Sequence, residues 1–251
     1  MTFARTGDSR IAAFFDLDGT LIAEPSMEIR FFRALRQNGD IPLLNYPRWA
    51  CESLRLLRGG LTKIQHANKR YLSGVERDLI YRHVAAIPIF DEAISRLAWH
   101  ARQGHMLVLV SGTLEPLAHI AAIALECELE ARGVETRLQV SATRLEENFG
   151  RWTGKILGDA VYGPAKREAT LQFAKRHSID LRSSHAYGNS IDDSFMLSAV
   201  GHAHVVNPNK RLATLANLYD WPVWHWQHEK SLPSAMVAAA ESKIQQLESG
   251  V

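Results

Sequence analysis

Two aspartates stand two residues apart directly after a short apolar segment, an arrangement that could carry out chemistry. Asp16 and Asp18 follow the apolar run at positions 11–15, and Gly19 interrupts the pattern immediately afterwards. Side chains at positions i and i+2 of an extended segment point the same way, so both carboxylates face one small volume. The pair could hold Mg²⁺, which takes oxygen ligands and accompanies phosphate chemistry. Alternatively, one aspartate could be a nucleophile and the other a general acid and base.

Three further segments carry groups that suit a phosphate or a metal. An apolar run ends in Ser111, Gly112 and Thr113, whose hydroxyls and backbone N–H groups could bind a phosphate. Lys166 stands at the start of an amphipathic stretch, where its ammonium could offset the carboxylates and hold a phosphoryl oxygen. A last short apolar segment is followed by oxygen donors typical of metal sites: Asn189, Ser190, Asp192 and Asp193.

Each segment taken alone also has a purely structural interpretation. Asp and Gly favour a turn after a strand, and Ser or Thr favours the cap of a helix. An isolated lysine is most often a solvated surface residue. The order in which the four segments follow one another along the chain favours the functional interpretation.

In this order, the four segments resemble the four motifs of the haloacid dehalogenase superfamily, within its phosphoserine-phosphatase-like branch, subfamily IB. The resemblance covers residues 11–225. It implies that Asp16 is the nucleophile and that Asp18 is the general acid and base. It also implies a set of groups that hold the phosphoryl group: Ser111, the backbone N–H of Gly112, and Lys166.

The resemblance further implies a Mg²⁺ cofactor held by Asp16, Asp18, Asn189 and Asp193. One position departs from the family pattern, because the family usually has Asp directly after the glycine of the fourth motif and this chain has Asn189. An amide oxygen can still coordinate a metal but brings no charge, so we expect a weaker affinity for Mg²⁺. Since Asp16, Asp18 and Lys166 are intact, we interpret the change as tuning of the site and not as loss of activity.

The implied activity is Mg²⁺-dependent hydrolysis of a small phosphomonoester through an aspartyl-phosphate intermediate. The substrate would be a phosphorylated metabolite of the phosphoserine or histidinol phosphate type. Glu24 or Glu28, together with Arg70, are candidate contacts for its amino-acid end. Two alternatives stay open: a phosphotransferase that uses the same aspartyl-phosphate, and a phosphometabolite-binding protein with a weakened metal site.

The elements that must position these residues follow the pattern of an α/β protein. Short apolar segments alternate with helical patterns, which predicts a parallel sheet with crossover helices. These segments lie near residues 11–15, 106–110, 184–188 and 202–206. We therefore expect a Rossmann-like core of the haloacid dehalogenase type, with the catalytic segments at the carboxyl ends of the strands.

A long insertion interrupts this alternation. Residues 23–88 show helical patterns only and are too many for a plain loop, so they predict a small helical cap domain that closes over the site. Residues 1–22 and 89–230 would form the core, with a hairpin around residues 148–150. The tail at residues 231–251 predicts a C-terminal helix that docks on the core or on a second chain, which leaves a homodimer open.

Composition and charge exclude several classes of function. The chain has 29 basic and 27 acidic residues, so its charge gives no argument for binding nucleic acid or a membrane surface. No apolar stretch approaches the length of a membrane helix, and residues 1–10 lack the features of a secretion signal. Cys51 and Cys127 show no metal-ligand spacing. We expect a cytoplasmic protein, and we assign no catalytic role to any of the 11 scattered histidines.

Overall fold

The computed structural model describes residues 10–84 and 87–232 of the chain. In chain order the strands are β1 (Ala12–Phe15), β2 (Ile87–Phe90), β3 (Met106–Leu114), β4 (Leu138–Thr143), β5 (Leu145–Asn148), β6 (Arg151–Ile156), β7 (His185–Gly188), β8 (His202–Val206), β9 (Val223–Trp224) and β10 (Glu229–Leu232). The α-helices are α1 (Met27–Asn38), α2 (Asn45–Leu56), α3 (Leu61–Ala67), α4 (Leu79–His83), α5 (Asp91–Arg102), α6 (Glu115–Ala131), α7 (Pro164–His177), α8 (Ser194–Leu197) and α9 (Lys210–Leu218).

A six-stranded sheet in the order β4-β3-β1-β7-β8-β9 forms the centre of the molecule. Every adjacent pair of its strands is parallel. The four apolar segments expected to be strands are β1, β3, β7 and β8, so the predicted α/β fold with a parallel sheet is confirmed. Because β1 lies between β3 and β7, the segments that follow these three strands meet at one edge of the sheet.

Strand β1 is apolar throughout because both faces of the sheet are covered. Ala13 and Phe15 belong to the core that also contains apolar residues of α5 and α6. Ala12 and Phe14 belong to a second core on the opposite face, with residues of α7, α8 and α9 packed there. A strand buried on both faces needs a continuous apolar run instead of an alternating one. The rigid central strand holds the residue that follows it, Asp16, in a fixed position.

The helices α1 to α4 lie between β1 and β2, and we call residues 27–83 the helical segment. Helix α1 is capped at its start by Ser26, whose hydroxyl accepts a hydrogen bond from the backbone N–H of Ile29, and at its end by Gly39, which has a left-handed conformation. Its inner face buries Phe31 and Leu35. The helical pattern expected for residues 23–88 is confirmed as far as α4, but residues 87 and 88 belong to β2, and the separation of residues 23–88 as a domain stays a prediction.

Strands β5 and β6 form the expected hairpin, joined by Phe149 and Gly150. Both linking residues have positive φ angles of 48° and 72°, which suits the tight turn between twisted strands. The hairpin also contacts the helical segment. The backbone N–H of Gly74 donates to the carbonyl of Trp152 over 2.7 Å, and the N–H of Trp152 donates to the carbonyl of Val75 over 3.0 Å.

Strand β10 pairs with β2 in an antiparallel ribbon. The predicted C-terminal helix is therefore wrong at positions 231 and 232, which are the last two residues of β10. The rest of that predicted helix lies outside the described residues. Within the described ranges, the helices lack the combination of length and apolar character that crossing a membrane requires.

Candidate active site

A buried cluster of one lysine and two carboxylates lies at the carboxyl edge of the sheet. Lys166 Nζ lies 2.5 Å from Asp16 Oδ1 and 2.5 Å from Asp193 Oδ1. All three residues are at most 5% exposed. Burial alone would lower the pKa of Lys166, but the charges of Asp16 and Asp193 raise it above its usual value. Lys166 is therefore a permanent cation between two acids.

Asp16 is held by the strand that precedes it. Its backbone N–H donates to the carbonyl of Tyr187 over 2.9 Å, which extends the pairing of β1 with β7 by one residue. The hydroxyl of Thr20 lies 3.1 Å from Asp16 Oδ2 and donates to it. Burial and the negative charge of Asp193 raise the pKa of Asp16 to about 6, although Lys166 acts in the opposite direction.

Asp18 lies at the beginning of helix α1. Its Oδ1 accepts a hydrogen bond of 2.8 Å from the backbone N–H of Met27, the first residue of that helix. Burial raises the pKa of Asp18 to about 7, a change that the bond from Met27 partly offsets. A carboxyl group with this pKa is present in both protonation states near neutral pH, as a general acid and base must be.

A turn at Gly19 brings the chain back over the two aspartates. Gly19 has φ of 81°, and its N–H donates to the carbonyl of Ile22 over 2.7 Å. A Cβ atom at this position would overlap the side-chain amide of Asn189. Glycine is therefore required both for the backbone conformation and for the close approach of Asn189.

The phosphate-binding segment predicted after β3 is instead the last part of that strand. Strand β3 continues to Leu114, with a shift in its pairing to β4 between Ser111 and Leu114. The N–H of Thr113 donates to Ser111 Oγ over 3.2 Å, while Thr143 Oγ1 donates to the carbonyl of Gly112 over 2.9 Å. The buried hydroxyl of Thr113 has no hydrogen-bond partner among the described residues. An uncompensated buried hydroxyl beside the carboxylates is available to a ligand.

Asp193 organises the loop after β7. Its Oδ2 accepts hydrogen bonds from the backbone N–H groups of Asn189 and Ser190 and from the hydroxyl of Ser190, at 3.0, 2.8 and 2.9 Å. Its Oδ1 faces Lys166. Both oxygens of Asp193 thus already accept hydrogen bonds, as both oxygens of Asp16 do, and the role of Asp193 as a metal ligand stays a prediction. Its geometry is that of a residue that positions Lys166 and the loop.

A cavity of about 720 Å³ adjoins the cluster and extends beneath the helical segment. Asp16, Asp18, Ser111, Gly112, Lys166 and Asn189 all line it, and the fully buried Asp193 joins them through its contact with Lys166, so the structure brings all the predicted site residues together. The opposite wall is apolar and comes from α1, α2 and α3: Ile29, Phe32, Trp49 and Ile64. The cavity is large enough for a metabolite and not only for a phosphate ion.

The family of the chain follows from comparison with known proteins. A family model described as haloacid dehalogenase-like hydrolase matches residues 13–198. The inhibition of morphological differentiation protein of Streptomyces azureus is 33% identical over 230 residues, which cover 85% of this chain and 78% of that protein. The chain belongs to the haloacid dehalogenase-like hydrolases.

Other relatives of this haloacid dehalogenase-like hydrolase carry the names of phosphatases. The chain is 27% identical over 251 residues to phosphoserine phosphatase SerB1 of Mycobacterium tuberculosis, covering 93% of this chain and 78% of SerB1. A solved phosphoserine phosphatase, an analogue of its phospho-aspartyl intermediate, superposes with a TM-score of 0.59. That structure is 18% identical, and the match covers 88% of this chain and 95% of the other. At 18% identity, the structural similarity shows that the two proteins share a fold and does not extend to their function.

The sequence motifs of the hydrolase did not indicate His66, which comes from α3. A Cβ atom on Gly112 would lie 2.8 Å from His66 Nδ1, and the His66 ring stacks on Tyr162 with centroids 4.7 Å apart. Burial, followed by the charges of Lys69 and Lys166, lowers the pKa of His66 to about 4. His66 is therefore a neutral side chain above the phosphate-binding segment. No motif marks it, because only the placement of α3 over the end of β3 brings it there.

Of the three residues predicted to contact the amino-acid end of a substrate, only two lie at the cavity. Glu24 and Glu28 line the cavity, whereas Arg70 is outside the lining. Glu28 Oε1 lies 2.5 Å from Nζ of the buried Lys69 and 2.8 Å from the hydroxyl of Tyr71, which donates to it. The pairing with Lys69 gives Glu28 a structural role in joining α1 to the chain after α3.

Proposed function

We propose that this hydrolase is a Mg²⁺-dependent phosphatase that acts on small phosphomonoesters through an aspartyl-phosphate intermediate. The observation that carries the proposal is the Asp16–Lys166–Asp193 cluster, buried at the wall of a metabolite-sized cavity that is also lined by Thr113, whose hydroxyl has no hydrogen-bond partner in the described part of the chain. The names of the relatives, phosphoserine phosphatase SerB1 among them, support the same chemistry.

The two aspartates divide the reaction into two half-reactions. A carboxylate oxygen of Asp16 attacks phosphorus, and the bond between phosphorus and the substrate oxygen breaks. Asp18, protonated at this stage, gives its proton to the departing alcohol. Water then attacks the phosphorus of the aspartyl-phosphate, Asp18 takes a proton from that water, and inorganic phosphate leaves with Asp16 restored. The pKa of Asp18, about 7, suits both steps at neutral pH.

The remaining groups of the site bind the phosphoryl oxygens. Ser111, the N–H of Gly112 and Lys166 are the groups that we propose to hold them, and we add the hydroxyl of Thr113. These donors are fixed by β3 and α7 before a substrate arrives. Preorganised donors of this kind stabilise the charge that builds up on the equatorial oxygens, which is usually the largest contribution to phosphoryl transfer.

The donors at the bottom of the cavity fit Mg²⁺. Asp16, Asp18 and the amide of Asn189 supply oxygen atoms within one lining, and the net charge of the Asp16–Lys166–Asp193 cluster is negative. We propose that Asp16, Asp18 and Asn189 hold the ion, while Asp193 keeps Lys166 and the Asn189 loop in place. A bound Mg²⁺ would neutralise the repulsion between the phosphate and Asp16 and would align the two groups.

The far wall of the cavity favours a substrate whose alcohol part carries a flat ring. Trp49 and Phe32 present aromatic surface there, and the stacked rings of His66 and Tyr162 border the same space. Among the described residues of the lining, the cations other than Lys166 are Lys210 and Arg211, both exposed on α9. Glu24 offers a carboxylate to an amine. We therefore propose that a phosphate of the histidinol phosphate type is preferred to phosphoserine.

The activity is tested by measuring phosphate release from a panel of phosphomonoesters, with and without Mg²⁺, using Asp16→Asn as the control. Release that requires both Mg²⁺ and Asp16 is the expected result. Transfer of the phosphoryl group to an added alcohol, in place of release, would favour a phosphotransferase. Binding of phosphomonoesters without turnover at saturating Mg²⁺ would contradict both enzymatic functions and favour a binding protein.

The substrate preference is tested with Trp49→Ala. We expect KM for histidinol phosphate to rise at least about fivefold because the ring loses its aromatic contact, while KM for phosphoserine changes little. Trp99→Ala is the matched control, since Trp99 is similarly exposed, 42% against 41% for Trp49, and does not line the cavity. Equal changes for the two substrates would contradict a role for Trp49 in recognising the ring.

A further inference from the structure

Five histidines from three separate parts of the sequence meet at the edge of the sheet opposite the proposed active site. His185 and His202 are the first residues of β7 and β8 and pair directly across the two strands. His105 precedes β3, His204 lies on β8, and His100 lies near the end of α5. Because the strands are parallel, their first residues lie at the edge farthest from Asp16. The mechanism proposed above makes no use of this cluster.

Three of these side chains have ring nitrogens that converge. One nitrogen from each of His100, His105 and His185 lies within 4.8 Å of the nitrogens of the other two. The Nδ1 atoms of His100 and His105 are 2.8 Å apart and share a hydrogen bond. Imidazole nitrogens are the preferred protein ligands of Zn²⁺ and of related late transition-metal ions.

In two of these rings, one nitrogen has a hydrogen-bond partner that would fix the orientation of the ring and leave the other nitrogen for a metal. His100 Nε2 lies 2.8 Å from the hydroxyl of Tyr187, and His185 Nδ1 lies 3.1 Å from His204 Nε2. If His100 Nε2 and His185 Nδ1 carry the protons of these hydrogen bonds, the other nitrogen of each ring keeps a lone pair that can bind a metal. A hydrogen bond from the second ring nitrogen to a fixed partner is the usual arrangement around histidine ligands.

The cluster is also accessible from solvent. His105 and His185 are partly exposed, so an ion can reach the cluster from solvent.

We propose that His100, His105 and His185 bind one Zn²⁺ ion or a similar late transition-metal ion. Nitrogen ligands 2.0–2.1 Å from a tetrahedral zinc are roughly 3.3 Å apart, so His105 must move away from His100 by about 0.5 Å. His105 follows Gly104, which has φ of 74° in the turn before β3, and it is only partly buried. If the hydrogen bond between the two rings is donated by His105 Nδ1, metal binding moves that proton to Nε2 of His105. The His105 ring stays neutral in this change of tautomer.

This site would be distinct from the proposed Mg²⁺ site in both place and chemistry. Mg²⁺ prefers oxygen ligands and does not compete well for three imidazoles. A metal here would join the end of α5 to the starts of β3 and β7, and water would complete its coordination. Its expected effect is on the stability of the α/β core, without a part in phosphate release.

Cobalt substitution tests the proposal, because tetrahedral Co²⁺ absorbs strongly in the visible range and octahedral Co²⁺ only weakly. The full chain, without an affinity tag, is titrated with Co²⁺ in the presence of excess Mg²⁺, and Zn²⁺ is then added as a competitor. We expect one tetrahedral Co²⁺ per chain, displaced by Zn²⁺. The variant His105→Ala/His185→Ala should bind Co²⁺ at least about tenfold more weakly.

The control variant His177→Ala/His225→Ala removes two histidines outside the cluster and should bind Co²⁺ like the natural chain. His100 is fully buried and is left intact, so that the test variant keeps its core. Phosphate release in Mg²⁺ by the test variant provides a check on its fold. Zn²⁺ should also raise the Tm of the natural chain but not that of the test variant. The absence of saturable tetrahedral absorption, or equal Co²⁺ affinity in the natural chain and the test variant, would overturn the proposal.

Discussion

Lys166, Asp16 and Asp193 neutralise part of one another's charge, so the stability of each in the protein interior depends on the others. The cluster contains two acids and one base in a place with little solvent, so removing the base would leave two buried anions without their partner. The same contacts hold Lys166 at the cavity lining, where we propose that it binds a phosphoryl oxygen. Stability and activity are therefore tied to a single ammonium group.

We predict that Lys166→Met removes phosphate release and lowers the free energy of unfolding by about 3–5 kcal/mol, as expected when one partner of a buried ion pair is lost. Urea unfolding and a phosphate-release assay measure the two effects. Lys175→Met, at an exposed position on the same helix, is the control and should change neither. Unchanged stability of Lys166→Met would contradict the existence of the buried cluster.

A second prediction about a single residue concerns Asn189. Its amide lies against Gly19, beside Glu24 and in the same lining as Asp18. Asn189→Asp adds a negative charge there, which should lower the Mg²⁺ concentration needed for half-maximal activity about threefold or more. Without Mg²⁺ the added charge should lower the Tm, because it repels the neighbouring acids.

Asn209→Asp controls for a general charge effect, since Asn209 also lines the cavity but caps α9. It should leave the Mg²⁺ requirement nearly unchanged. An equal requirement in Asn189→Asp and the natural chain would mean that residue 189 does not contact the metal.

At the scale of elements, the hairpin β5–β6 supports the helical segment. Trp152 of β6 is 3% exposed and contacts Phe31 of α1 edge to face, with ring centroids 6.0 Å apart. Backbone hydrogen bonds join the same strand to residues 74 and 75. The apolar wall of the cavity therefore depends on a hairpin that has no residue in the cavity lining.

We predict that Trp152→Ala destabilises the protein by about 3–5 kcal/mol, because a large buried ring is replaced by a void. It should also raise KM more than it lowers kcat, since the helical segment loses its support while the Asp16 cluster stays in place. Steady-state kinetics and urea unfolding test both effects. Phe149→Asn, at the 97% exposed tip of the hairpin, is the control and should be neutral. A fall in kcat at unchanged KM would contradict the supporting role.

At the scale of the whole molecule, the neutral histidines set how the protein responds to acid. Burial lowers the pKa of His66, His100, His185 and His204 to between about 2 and about 4, against 6.5 for an unperturbed histidine. The unfolded chain then binds more protons than the folded chain, so these groups reduce stability as the pH falls below about 6.5. The raised pKa values of Asp16, Asp18 and Asp192 act in the opposite direction, but burial also lowers the pKa of His105, so five histidines stand against three acids among the groups that burial shifts in this way.

We therefore predict that the free energy of unfolding falls between pH 6.5 and pH 4, by up to about 1.4 kcal/mol per pH unit for each net proton. Solvent around the partly exposed His185 makes its share smaller. Urea unfolding across this range measures the slope. His185→Gln/His204→Gln should give a shallower slope, whereas His225→Gln, at an exposed position, should not. A flat profile in the natural chain would contradict the neutral state of the cluster.

Features that depend on neighbouring residues could be predicted from the amino-acid sequence. The strands β1, β3, β7 and β8 follow from short apolar runs, and the β5–β6 hairpin follows from the turn residues at Phe149 and Gly150. The paired carboxylates of Asp16 and Asp18 follow from their spacing after β1. The sequence also indicated Lys166, which lies on the first turn of α7 as expected. Each of these features is set by local periodicity or turn geometry.

Which distant residues meet depends on the tertiary structure. Lys166 and Asp16 are 150 positions apart, and the strand order that brings them together also places Asp193 against Lys166. The placement of His66 over Gly112 and the gathering of the histidines at the opposite edge have the same origin. Such contacts depend on how strands are ordered and helices packed, which are properties of the whole chain and leave no pattern in any single segment.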